Sequence, residues 1–222
     1  MSTEEPTPGV DARALGLRTR EGWVYRHVDV TAAPGEALEL CGSGGTGRSM
    51  LLLTLAGRAR PSTGTLRVLG HERAADIRAR AALARVHDVI GLEPEQTVRQ
   101  ALADRARWDR VRPGGSDGLG YRLDEVRELT GLTVPDRERV ETLSRVEQTL
   151  LALAAALLSR PGVVLLDDLD VGLSAVEQLR VWSALRTAAQ ADHAVAIAST
   201  SGAVPSGADL VVELHPSHVE ES

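Results

Sequence analysis

The 222-residue chain has no Lys, no Phe and no Asn, and all 25 of its basic residues are Arg. Those three amino acids use AT-rich codons, so a GC-rich genome has biased every position, and an Arg can stand where Lys serves elsewhere. The single Cys, Cys41, excludes an internal disulfide. No apolar run approaches the roughly 18 residues of a membrane-spanning helix. The longest, Leu150 to Leu158, has nine. The opening Met-Ser-Thr-Glu-Glu-Pro is too acidic and polar to read as a signal peptide. The formal charge of −6 argues against nucleic acid as a partner, which calls for a basic face. What remains, 43% apolar and 25% charged, is the composition of a globular domain long enough to bury a core.

The order of elements points to an α/β fold. Residues 1–10 read as a tail. Leu15 to Val30 alternates as two strands around Glu21-Gly22, and Glu36 to Cys41 is a short apolar strand. A Gly-rich loop then opens a helix from Arg48 to Ala59, and Thr65 to Leu69 forms a strand. Glu72 to Arg85 reads as an Arg- and Ala-rich helix with a solvated basic face, and Val86 to Ile90 as a short strand or loop. Thr97 to Arg110 and Arg122 to Thr130 are helices joined by a Gly-rich connection, together resembling an insertion weakly tied to the rest. Ser144 opens a long apolar helix ending near Ser159. Val163 to Asp167 and Ala194 to Ala198 are continuous apolar runs, as in parallel strands buried on both faces. Ser174 to Gln190 is a helix, and Asp209 to Leu214 the last strand. These segments divide into a β subdomain with half of the core (11–86), a helical subdomain (87–143), the second half of the core (144–214) and a C-terminal tail (215–222). The His215 and His218 pair in that tail has no third ligand nearby and reads as tail, not metal site.

Two motifs carry chemistry. Gly42-Ser43-Gly44-Gly45-Thr46-Gly47-Arg48-Ser49 follows a strand and opens a helix, the context of a phosphate-binding P-loop. Successive backbone N–H groups there can wrap an anion, helped by the positive end of the helix dipole. Ser49 is placed to offer a hydroxyl to Mg²⁺. The second motif, Val163-Val-Leu-Leu-Asp167-Asp168, is an apolar strand ending in acid. Asp167 is a candidate Mg²⁺ ligand, and Asp168 a candidate to orient the attacking water. Both motifs fall at carboxyl ends of parallel strands, where open α/β sheets bind ligands.

Together with Leu143-Ser144, Arg160-Pro161, Ala33-Pro-Gly-Glu36, Leu55-Ala-Gly57, Thr97-Val98-Arg99 and Gly172-Leu173, these motifs resemble the nucleotide-binding domain of ABC transporters over nearly the whole chain. The resemblance implies a P-loop NTPase with a RecA-like, mostly parallel core, an N-terminal antiparallel β subdomain and a short helical subdomain. It also implies ATP and Mg²⁺ as cofactors. The nucleotide would be held by Gly42 to Met50 and, across a head-to-tail dimer, by Ser144 of the opposing protomer. The implied partners are a second such domain, alike or different, and a separate membrane permease docked near His87 to Arg110. The implied location is the cytoplasmic face of the membrane.

The sequence departs from that family where hydrolysis is performed. Arg48 replaces Lys, Asp168 replaces Glu, and Arg145-Val146-Glu147 follows Ser144 in place of Gly-Gly-Gln. Ser144 and Glu147 also have capping-box spacing, as do Ser174 and Glu177, where Ser174 replaces the family's Asp. Thr200 stands at the position of the switch His, and His87 or Asp88 near that of the Q-loop Gln. Thr19 lies where an aromatic would stack on adenine, leaving Trp23 or Tyr25 as substitutes or as core. Nucleotide binding is therefore expected, with weak hydrolysis through Asp168 and Thr200. The alternative is a non-hydrolysing module that uses ATP to set dimerisation.

Overall fold

The computed structural model describes residues 8–86, 92–111 and 118–216. Its strands are β1 (Val10–Thr19), β2 (Gly22–Ala32), β3 (Ala37–Cys41), β4 (Thr63–Val68), β5 (Ala81–Arg85), β6 (Val163–Leu166), β7 (Val195–Thr200) and β8 (Leu210–Glu213). Its helices are α1 (Arg48–Leu55), α2 (Ala74–Arg78), α3 (Val98–Trp108), α4 (Gly118–Thr130), α5 (Arg145–Leu157) and α6 (Ala175–Asp192), with a 3-10 turn at Val140–Thr142.

Five strands form a parallel sheet in the order β5-β6-β7-β3-β8, and three form an antiparallel sheet in the order β2-β1-β4. The parallel strands alternate their side chains between two cores. Val164, Leu166, Ala196 and Ala198 face α3, α4, α5 and α6. Val163, Leu165, Val195, Ile197, Leu38 and Leu40 face α1 and the antiparallel sheet. Period-2 alternation with both faces apolar explains the uninterrupted Val-Val-Leu-Leu of β6, which is wholly buried.

Several boundaries differ from the sequence reading. The antiparallel sheet starts at Val10, which the sequence places in the tail but which is buried and pairs with both Ala32 and Val68. Helix α1 stops at Leu55, because Gly57 turns left-handed and the Arg58 N–H bonds back to the Leu53 carbonyl. Gly118–Gly120, expected as connection, is the first turn of α4.

The largest correction is at 72–85, which is not one helix. Only Ala74–Arg78 is helical, and Ala81–Arg85 is the edge strand β5, paired in parallel with β6. Ala and Leu favour a helix in isolation. Here small side chains let α5 lie close over the sheet, and packing overrides propensity. The helical segment is also not loosely attached. Val98, Ala101, Leu102, Ala106, Val126 and Leu132 share one core with α5. His87 and Asp88, part of the Val86–Ile90 segment, most of the 112–120 connection, and His218 lie outside the described residues.

Candidate nucleotide site

The loop between β3 and α1 is pre-shaped by its own bonds. The Thr46 hydroxyl donates to the Ser43 carbonyl at 2.8 Å, and the Gly42 N–H donates to the Thr200 carbonyl at 3.2 Å. Gly47 is left-handed at φ +84° and is the N-cap of α1, with no side chain capping the helix. No acid stands in that first turn. A Cβ at Gly44 or Gly45 would meet nothing within 4 Å, so the loop borders open space. Ser49 and Met50 follow in the half-buried first turn of α1.

The acids sit opposite. Asp167, 1% exposed, ends β6, and its Oδ1 accepts from the Ser199 hydroxyl at 2.6 Å. The Asp168 N–H donates to Ser199 Oγ at 2.8 Å, and Asp168 holds φ at +45°. The two motifs, 120 residues apart, meet where Arg48 Nη2 lies 3.2 Å from Asp168 Oδ1. In each motif one polar atom is buried without a hydrogen-bond partner among the described residues, Arg48 Nη1 in the first and Asp167 Oδ2 in the second. Buried polar groups are rarely left so. A donor lacking an anion and a carboxylate oxygen lacking a cation suit a phosphate and a divalent metal, respectively. The residues present therefore fit Mg²⁺ with a nucleotide.

The remaining candidates separate. Thr200 ends β7, and its hydroxyl donates to Glu39, a buried carboxylate on β3, while accepting from the Gly202 N–H at 3.0 Å. The neighbour that touches Asp167 is Ser199, which sequence reasoning missed. A polar pair at the carboxyl end of a buried strand was the available signal. Ser144 is the exposed N-cap of α5. Its hydroxyl donates to Glu147 Oε2 at 2.7 Å and accepts from the Glu147 N–H, completing the expected capping box. Those bonds hold the Glu147 carboxyl below its ordinary range. Its share of helix stability is therefore present above that range and lost as pH falls through the lowered value. Ser144→Ala should cost about 1 kcal/mol in urea unfolding. Ser174 caps α6 in the same way.

Tyr25 is core, its hydroxyl 2.6 Å from Thr54 Oγ1. Thr19 braces the β1–β2 turn through Gly22 and Glu21. Trp23 is half-buried, with the Arg18 guanidinium 5.6 Å from its ring centre. Cys41, at the end of β3, is half-buried, and burial followed by the charges of Glu39 and Glu213 pushes its thiol up. Among the described residues no group of three or more His, Cys, Asp or Glu side chains could hold a metal on its own, and no helix is long and apolar enough to cross a membrane.

The family model described as ABC transporter matches residues 25–170, from β2 through the acid turn. The chain belongs to the ABC transporter ATP-binding family. A putative ABC transporter ATP-binding protein of Streptomyces coelicolor is 33% identical over 87% of this chain and 34% of its own length. The Nod factor export ATP-binding protein I of Neorhizobium galegae is 29% identical over 84% of this chain and 53% of its own. The chain thus spans about a third to a half of these curated relatives. Among solved structures, a putative ABC transporter ATP-binding protein from Pyrococcus furiosus superposes with a TM-score of 0.75 at 18% identity, covering 93% of this chain and 97% of that one. A dimeric ATP-binding cassette in a post-hydrolysis state with ADP and Pi gives 0.75 at 18%, covering 96% and 97%. Both establish the cassette fold: a P-loop core with an antiparallel β subdomain.

Proposed function

We propose that this chain binds Mg·ATP as the ATP-binding subunit of a transporter, driving or gating a separate membrane permease. The observation that carries this reading is the pair of orphaned atoms, Arg48 Nη1 in the P-loop and Asp167 Oδ2 in the acid turn. In this reading the amides of Gly42 to Gly47, with Ser43, Thr46 and the first turn of α1 through Met50, cradle the phosphates. Arg48 turns from Asp168 towards them. Ser49 and Asp167 hold Mg²⁺, which neutralises charge on the phosphate oxygens. Asp168, released from Arg48, accepts a hydrogen bond from the attacking water. Thr200 positions the loop through its carbonyl bond to Gly42, and Ser144 meets the nucleotide of a second cassette, alike or different. The permease docks in the groove of about 750 Å³ between α3 and the sheet, lined by Leu83, Ala84, Ala101, Trp108 and Ala152. Trp108 is largely exposed there. The protein then works at the cytoplasmic face of the membrane.

Hydrolysis is slow in this reading, because the Asp168 carboxylate is one methylene short and a misplacement of about 1 Å costs on the order of a hundredfold. A guanidinium fork also does not present charge as an ammonium does. The expected result is a rise in thermal midpoint with Mg·ATP that Asp167→Ala lacks, together with low turnover that Arg48→Lys with Asp168→Glu raises about tenfold or more. A normally refolding protein with no nucleotide-dependent rise would sink the reading. The non-hydrolysing module is favoured by one observation, the commitment of the Ser144 and Thr200 hydroxyls to Glu147 and Glu39. It predicts turnover equal to that of Asp167→Ala.

A further inference from the structure

Arg85 ends β5, in the segment whose sequence reads as a solvated helix face. Its guanidinium instead points under the acid turn. Nη2 donates to the Asp168 carbonyl at 2.8 Å and to the Asp167 carbonyl at 3.3 Å. Nη1 donates to Thr149 Oγ1 at 3.0 Å. Thr149 is fully buried on α5, and its hydroxyl donates in turn to the Arg145 carbonyl at 3.0 Å, in the first turn of that helix. The acid turn is therefore gripped from both sides: Ser199 takes its N–H, and Arg85 takes its carbonyls.

We infer that Arg85 is a positioning residue for the acid turn, whose planar fork fixes Asp167 for Mg²⁺ and Asp168 for the attacking water and, through Thr149, ties them to the helix that Ser144 opens. Asp168 holds φ at +45°, a left-handed conformation that costs a non-glycine residue free energy and persists only when its surroundings over-determine it. The guanidinium spans the two carbonyls and the hydroxyl from two nitrogens held in one plane; a single ammonium nitrogen on a shorter stem does not match that span, and a thioether donates to none of them. Partners one step behind a metal ligand commonly govern metal affinity by tenfold or more.

The inference rests on the Mg·ATP reading above. The test titrates MgCl₂ at fixed ATP on the full chain and reads the Mg²⁺ concentration giving half of the thermal protection, alongside ATP binding in EDTA. Arg85→Met should raise that midpoint about tenfold, with ATP binding in EDTA changed less than about twofold. Arg85→Lys should fall between, and Thr149→Val should raise the midpoint by a smaller factor. A lowered thermal midpoint with a wild-type Mg²⁺ midpoint would make Arg85 merely structural and overturn the inference. Should Arg85→Met not fold, wild-type Mg²⁺ midpoints in both Arg85→Lys and Thr149→Val overturn it equally. A wild-type protein without Mg²⁺-dependent protection fails before any variant is compared, which locates the failure in the parent reading and removes the inference with it.

Discussion

Gly47→Ala is expected to abolish nucleotide binding at working concentrations, with a loss of roughly a hundredfold in titrations of a fluorescent ATP analogue. Two costs combine. The residue sits at φ +84°, where an L side chain costs about 1–2 kcal/mol. Its Cβ would also lie 2.5 Å from the Val24 carbonyl oxygen, a backbone atom of β2 that cannot swing aside. The loop must move off the N-terminus of α1, and each ~1.4 kcal/mol of lost alignment is tenfold in affinity. Gly44→Ala is the control: its Cβ meets nothing and its φ is not left-handed, so it should fold with a wild-type midpoint. A Gly47→Ala protein that binds ATP as well as wild type would remove the main-chain cradle from the account.

Arg122→Met should be strongly destabilising although it lies outside the site. Arg122 is 5% exposed. It donates to the Leu157 carbonyl at the end of α5, and it lies 2.9 Å from Asp192 Oδ2 on α6 and 2.8 Å from Glu125 Oε2 on α4. Arg160 shares both acids from the surface side. Removing Arg122 leaves the buried Asp192 with Arg160 alone, and losing one partner of a buried ion pair costs ~3–5 kcal/mol. At ~2–4 °C per kcal/mol for a chain of this size, the thermal midpoint should drop by about 10 °C. Arg122→Met with Asp192→Leu should recover most of the loss, because the charge left behind causes it. Glu72→Ala, breaking the exposed pair with Arg67 at 2.6 Å, should leave the thermal midpoint close to that of the wild type. Equal effects from the buried and exposed pairs would contradict the assignment of Arg122 as the pin between the helical segment and the core.

The same ion cluster explains a misreading. Along the chain, Arg122 looks like any polar residue at the start of a helix, and the Gly-rich stretch before it suggests loose attachment. Only folding brings Asp192 and the Leu157 carbonyl to it. Arg85 follows the same logic. An Ala-Ala-Leu-Ala-Arg run carries helical propensity, and nothing local announces that β6 will pair with it. Ser199 and Glu39 were missed because each takes its role from a neighbouring strand. By contrast, the capping boxes at Ser144 and Ser174 were legible, since partner and cap lie three residues apart.

The sequence by itself determined whatever depends on near neighbours: the Gly-rich turn after an apolar strand, the acid-ended buried strand, the caps, and through their order the family and the α/β class. Tertiary structure alone decided which side chains meet, from the Arg48–Asp168 contact to the grip of Arg85 on the acid turn. The reason is physical. Backbone torsions and capping bonds act over a few residues, whereas burial and pairing of charge depend on which surfaces the sheet brings together.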